Sequence, residues 1–280
     1  MDGKIMTDHS TRPDLSEEQI ESYGKDGFII LRGFWKPELI KAIVAEYDKA
    51  FPLLGTGPGP REKPLVVFWT HAEGGRKRVE PLENLPCLRS LVLDRWIARA
   101  VMTLSGTQEA RLLETAIINK PPRTGAVLHW HQDVSFFPLD PGHVISTWVA
   151  LDQSSPENGA VSYACGSHNH GRVGSVNLLT GEIYSGERLE PIRQNPENLG
   201  YKVVSPAMEP GDLMLLDGKV WHMSGQNRSD HARRGIVVRY MAGKNLFRPR
   251  VGMGATFINQ IDVKDGNPIE GQAFPLLSEG

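Results

Sequence analysis

The chain has 280 residues, 31 basic and 33 acidic side chains, a formal net charge of −2 and 40% hydrophobic residues. It carries no basic stripe to meet a nucleic-acid backbone and no apolar run near the 18 or so residues that a membrane-crossing helix needs. Residues 1–13 are polar and lack the apolar stretch of a signal peptide. Two distant cysteines, Cys87 and Cys165, lie outside any CxxC pair and fit a reduced, cytoplasmic setting rather than a disulfide framework. No linker or repeat divides the sequence, so a single domain over residues 1–280 is expected.

In chain order, LSEEQIESYGKDGFIIL reads as a short helix followed by a strand. Ser16 with Gln19 three residues on is a capping box, and Gly24 to Gly27 ends the helix. KPELIKAIVAEYDKAF places Leu39, Ile40, Ile43, Val44, Tyr47 and Phe51 at helical spacing, with Pro37 in the first turn. Residues 52–80 read as loop around GTGPGPREKP. LPCLRSLVLDRWIARAVMTLSG predicts one or two helices, which makes residues 14–106 or so a helical scaffold. From about 110 to 245 the character changes. RLLETAIIN, AVLHWH, HVISTWVAL, GAVSYA, YKVVS, DLMLLDG and RRGIVVRYM are short β-rich runs separated by turn residues. Many short strands at this spacing indicate a sandwich or barrel, so the fold class is mainly β with flanking helices. Residues 170–200 interrupt the strands with little apolar periodicity. Their glycines Gly171, Gly174, Gly181 and Gly186 suggest a movable cover over the mouth of the barrel.

The segment HWHQD at 129–133 concentrates chemistry. In a strand, alternate residues share a face, so His131 and Asp133 would aim at one spot from about 7 Å apart. One imidazole and one carboxylate at that distance can share a metal ion. A third ligand has to come from elsewhere. His222 is the candidate, because it follows the apolar run DLMLLDGKVW where polarity returns. Two histidines and one carboxylate with open positions is the ligand set of non-haem Fe(II) oxygenases.

Several separated motifs accompany this set: INKPP at 118–122, HQD followed by FFP, NGA at 158–160, GSH at 166–168, and MEPGDLMLLDGKVWHMSGQN followed by Arg233. Together they resemble the phytanoyl-CoA dioxygenase family of Fe(II)- and 2-oxoglutarate-dependent oxygenases, from EQIESYGKDGFIIL at residue 18 to about residue 240. The resemblance implies a double-stranded β-helix, the jelly-roll core shared with cupins. It implies His131, Asp133 and His222 as iron ligands and Arg233 as the partner of the distal 2-oxoglutarate carboxylate, for which a guanidinium offers a two-pronged fork. It further implies Ser224 as a hydroxyl donor to that carboxylate, Trp148 as a cosubstrate contact, and Arg78, or Lys77 one residue away, as another. The family position of a methionine contact is Ala116 here.

The implied activity is oxidation, normally hydroxylation, of an unactivated C–H bond in a small organic molecule. Dioxygen and 2-oxoglutarate are consumed, and succinate and carbon dioxide are released. Asp133 argues against halogenation, since halogenating relatives lack that carboxylate. Two other classes remain open on the residues alone: a zinc hydrolase or lyase on a cupin-like barrel, which would not need Arg233 or Ser224, and a binding protein without turnover. Other polar residues have plainer readings. His168 and His170 suit a solvated turn, and Trp130 suits the side of its strand opposite His131. Arg234 and Arg239 read as surface charges, and Asp212, Asn158 and Gly159 as turn formers.

Overall fold

The structure is a computed structural model that describes residues 12–50, 65–69, 84–184, 187–249, 263–272 and 274–277. The candidate positions Arg78 and Lys77 lie outside these residues. The first helix, α1 (Glu17–Asp26), starts at the expected capping box. The Ser16 hydroxyl accepts from the Gln19 backbone N–H, and the Gln19 side chain accepts from the Ser16 N–H. It ends at Gly27, whose φ of 84° suits glycine. Strand β1 (Phe28–Leu31) and α2 (Pro37–Ala50) follow, then β2 (Leu65–Trp69), α3 (Pro86–Val92) and α4 (Arg95–Ser105). The residues expected to form one or two helices at 85–106 form two, split where Asp94 caps α4 by accepting from the Ile97 N–H.

The remaining strands are β3 (Ala110–Lys120), β4 (Leu128–His131), β5 (Leu139–Asp140), β6 (Val144–Ala150), β7 (Val161–Ala164), β8 (Val203–Val204), β9 (Leu213–Asp217), β10 (His222–Ser224), β11 (Arg233–Ala242) and β12 (Leu246–Phe247). A major sheet runs β1-β9-β6-β11-β3-β2, a minor sheet runs β4-β10-β7-β8, and β12 pairs with β5. Every pairing is antiparallel. This is the jelly-roll that the family resemblance implied, and it agrees with the sandwich or barrel expected from the strand pattern. The N-terminal scaffold supplies both outer strands of the major sheet, and β1 is the strand expected after α1. One detail differs from the sequence reading: the expected loop at 52–80 contains the other outer strand, β2, paired along β3. Its five residues, LVVFW, sit between breakers and are too few to show a period.

Alternation along β11 sorts the core. Ile236, Val238 and Tyr240 face the helices and join Leu39, Ile43, Tyr47, Val92, Val101, Ile117, Val149 and Leu213 in one buried cluster. Each such side chain contributes about 1.5–3 kcal/mol by leaving water. Val237, with Trp148, Tyr163, Met214 and Leu216, fills the space between the two sheets. Arg233 and Arg239 share the parity of Val237 and also point between the sheets.

Parts of the segment at 170–200, expected as a mouth cover, pack on the outer face of the minor sheet, where Val173 and Ile192, with Tyr201 just beyond the segment, meet Trp130, Trp221 and Ala164. Trp130 and Trp221 each adjoin a site histidine, so strand alternation turns them outward, and the apolar residues scattered through the segment shield them. The segment also lies along the free edge of β4, where the His129 N–H donates to the Leu178 carbonyl at 2.9 Å. Arg172 braces the turn after β4 through the carbonyls of Val134, Phe137 and Leu139. No helix among the described residues is long and apolar enough to cross a membrane.

Candidate metal and cosubstrate site

His131 ends β4 and His222 begins β10. They are direct cross-strand partners, and their ring centroids lie 4.1 Å apart. Asp133 is not on the same strand as His131, as the alternation argument assumed. It opens a short 3-10 turn, Asp133–Phe136. Its carboxylate still faces the histidines, because Gln132 between them is extended (φ −111°, ψ 140°). The Gln132 side chain points the other way and is fully buried. It donates to the carbonyls of Gly171 and Lys219 at 2.7 and 2.8 Å and accepts from the Val173 N–H at 2.9 Å.

Both rings are fixed from behind. His131 Nδ1 lies 2.6 Å from the His129 carbonyl, and His222 Nδ1 lies 2.9 Å from the Val220 carbonyl. A carbonyl only accepts, so each Nδ1 carries the proton and each Nε2 keeps a lone pair. These Nε2 atoms lie 4.0 Å (His131) and 3.7 Å (His222) from Asp133 Oδ1. One ligand atom from each of the three buried residues falls within 4.8 Å of the others. Two imidazole nitrogens and one carboxylate oxygen, with no fourth ligand among the described residues, is a donor set suited to Fe(II) with positions left open.

The electrostatics match a cation site. Burial, then the neighbouring His222, pushes His131 down to about 3, and burial lowers His222. Burial alone would raise Asp133, but Arg239 and the two histidines hold it below the usual carboxylate range. Neutral imidazoles beside an ionised carboxylate are the protonation states that metal binding requires. A stability prediction follows for the metal-free protein. Between about pH 6.5 and 3 the unfolded His131 takes up a proton that the folded ring refuses, so the unfolded state binds more protons and stability falls with pH. His222 acts in the same direction, and Asp133 adds a further loss below its ordinary range. The unfolding temperature of metal-free protein should drop between about pH 7 and 5, and His131→Gln should flatten that drop. A constant midpoint in the unsubstituted protein would contradict the assignment of buried neutral rings.

Arg233 is buried, at 1% exposure. Its Nη2 donates to Ser224 Oγ at 3.0 Å, and its guanidinium lies 5.0 Å from the Trp148 ring. Among the described residues its Nε and Nη1 meet no acceptor, and no carboxylate lies within ion-pair distance of it. Two buried N–H groups on a buried cation without a counter-charge are costly. They fit an incoming carboxylate. Trp148 lies over the backbone of Gly235, where a Cβ would come within 2.1 Å of its six-membered ring.

The Ser224 hydroxyl donates to the Gly159 carbonyl at 2.8 Å while its oxygen accepts from Arg233, so Ser224 orients the guanidinium. Ala116 is buried on the inner face of β3 opposite Val237. His129 is exposed. It lines a cleft of about 260 Å³ with Trp130, Val176, Gly181 and Ile192, at the insert rather than among the metal-facing groups. His168 caps the Gly24 carbonyl at 3.1 Å, and His170 packs edge-on against Trp221, so both serve the fold. Arg234 faces the opposite side from Arg233 and pairs with Asp152 and Asp48.

Sequence reasoning missed four residues. Arg239, read as a surface charge, is mostly buried, with 12% of its side chain exposed, and donates to Asp133 Oδ1 at 2.6 Å. Ser146 donates to Asp133 Oδ2 at 2.6 Å, and Glu114 accepts from Arg239. Lys120, the cross-strand partner of Arg233, donates to the carbonyls of Ala126, Ser224 and Gly225 and so ties β10 to the loop after β3. Three acceptors call for three N–H groups, which fixes Lys120 as an ammonium although burial, then Arg233, pulls its pKa down to about 7. The parity of Arg239 with Arg233 along one strand was the available signal.

Comparison with known proteins agrees with this geometry. Residues 23–235 match the family model of phytanoyl-CoA dioxygenase (PhyH). A phytanoyl-CoA dioxygenase domain-containing protein 1 from Bos taurus is 34% identical over 273 residues, covering 81% of this chain and 90% of that protein. A protein from Stutzerimonas stutzeri described as a "probable alpha-ketoglutarate-dependent hypophosphite dioxygenase" is 30% identical over 235 residues, covering 80% of this chain and 78% of its own. Among solved structures, the epimerase SnoN in complex with Fe3+, alpha ketoglutarate and nogalamycin RO superposes with a TM-score of 0.70 at 21% identity, covering 93% of this chain and 98% of that one. The chain belongs to the phytanoyl-CoA dioxygenase family, and it is an oxygenase of the non-haem iron class that uses 2-oxoglutarate and dioxygen.

Proposed function

We propose that His131, Asp133 and His222 hold Fe(II), that Arg233 anchors the distal carboxylate of 2-oxoglutarate, and that the chain works as one domain hydroxylating a C–H bond of a small organic molecule. The observation that carries this reading is the pair of unpartnered N–H groups on buried Arg233, beside a buried two-histidine, one-carboxylate cluster. Iron with bound 2-oxoglutarate supplies the activation of dioxygen, with succinate and carbon dioxide as coproducts. The chain supplies the rest. The backbone bonds to Nδ1 aim both imidazoles. Ser224 and the Trp148 ring hold the guanidinium in place for a carboxylate. Burial among the two sheets limits water around these groups, which strengthens every charge interaction there. Asp133 occupies the third protein position, which supports oxygen insertion over halogenation. A zinc hydrolase would leave Arg233 buried without a purpose.

Anaerobic titration with Fe(II) and then 2-oxoglutarate tests the reading. A visible charge-transfer band is expected only when both are present. Release of succinate under air should then depend on iron. Binding of Fe(II) with no response to 2-oxoglutarate would turn the assignment toward the hydrolase class.

A further inference from the structure

Two residues that no ligand role accounts for, Ser146 and Arg239, bond Asp133, and a third, Glu114, holds Arg239. Ser146, Arg239 and Glu114 form one row across three adjacent strands: Arg239 on β11 is the direct partner of Ser146 on β6 and of Glu114 on β3. All three are buried or nearly so and face the space between the sheets. Arg239 Nη2 donates to Asp133 Oδ1 at 2.6 Å, and Arg239 Nη1 donates to Glu114 Oε1. Ser146 Oγ donates to Asp133 Oδ2 at 2.6 Å. The two carboxylate oxygens are therefore unlike. Oδ1 faces the two Nε2 atoms at 3.7 and 4.0 Å. Oδ2 is tied back to β6.

Resting on the ligand set proposed above, we infer that Ser146, Arg239 and Glu114 are positioning residues that keep Asp133 a one-oxygen ligand. The reason is a count of coordination positions. Two imidazoles, one carboxylate oxygen, a chelating keto acid and dioxygen fill an octahedron. A second oxygen from Asp133 would occupy the position needed by cosubstrate or dioxygen. A carboxylate free to rotate about its last bond chelates readily. One hydroxyl on Oδ2 and one guanidinium N–H on the opposite oxygen prevent that rotation. Glu114 takes the other Nη of Arg239, fixing the guanidinium and balancing its charge. An ordinary buried ion network would hold the fold without distinguishing the two oxygens, whereas here each oxygen has its own donor from its own strand.

Ser146→Ala and the charge-balanced double variant Glu114→Gln/Arg239→Gln test this. Ser146→Ala removes one hydroxyl, so the test survives should the double variant not fold. Each protein is loaded with Co(II) without cosubstrate, and its ligand-field absorption is recorded. 2-Oxoglutarate is then titrated in, and the Fe(II) charge-transfer band is recorded separately under anaerobic conditions. The expected result is a ligand-field spectrum altered from that of the unsubstituted protein and a loss of cosubstrate affinity of about tenfold or more, the scale on which partners of metal ligands act. A folded Ser146→Ala protein with unchanged Co(II) spectrum and unchanged cosubstrate affinity would overturn the inference. The Co(II) spectrum needs no cosubstrate. If the unsubstituted protein shows no charge-transfer band, the 2-oxoglutarate reading fails, and the Co(II) comparison still decides the role of the three residues.

Discussion

Replacing either His131 or His222 by alanine is expected to abolish iron-dependent turnover while leaving the jelly-roll folded. Each ring supplies one Nε2 to a cluster with only three protein donors among the described residues. Loss of a ligand should weaken metal binding by more than the roughly 10–100-fold that loss of a ligand's hydrogen-bond partner costs. The fold should survive because the rings sit at the adjoining ends of β4 and β10 and bond only to local carbonyls, at His129 and Val220. An orphaned carbonyl costs about 1–3 kcal/mol, a fraction of a domain's stability. Circular dichroism with a metal titration separates the two effects. Turnover at the unsubstituted rate in either variant would sink the metal assignment.

Arg233→Ala should raise the 2-oxoglutarate concentration needed for turnover by about tenfold or more, since a hydrogen bond to a charged group is worth about 1.5–3 kcal/mol. Arg234→Ala is the control. Its guanidinium grips Asp152 through Nε and Nη2 and reaches Asp48, on the other face of β11. Its loss should lower the denaturation midpoint and leave the cosubstrate requirement near that of the unsubstituted protein. The reverse ranking would mean that the carboxylate enters from the other face of the sheet.

Local signals carried much of this structure. The capping box of α1, the helical spacing of α2 and the alternating strands from 110 onward all specify themselves over a few residues. His131, Asp133, His222, Arg233 and Trp148 were legible because their spacing and flanking motifs resemble a known family. What stayed hidden depends on long-range register. Glu114, Ser146 and Arg239 are unremarkable strand residues until β6, β11 and β3 align them in a row. Asp133 looked like a strand residue because one extended Gln132 imitates alternation before the 3-10 turn begins. The bond from Ser224 to the Gly159 carbonyl depends on the same long-range register. Residues 170–200 looked like a free cover, since apolar residues spread without period give no hint that they serve the backs of Trp130 and Trp221.

The indole of Trp148 lies over the backbone of Gly235, where even a methyl group would overlap the ring. That contact ties the sequence of β11 to that of β6 over evolutionary time. A lineage that gains a side chain at 235 must first trade the tryptophan for something smaller, and then it loses the aromatic face beside Arg233. The two positions should therefore change together or not at all, and a relative with a bulky residue at the equivalent of 235 should hold the equivalent of Arg233 by different means.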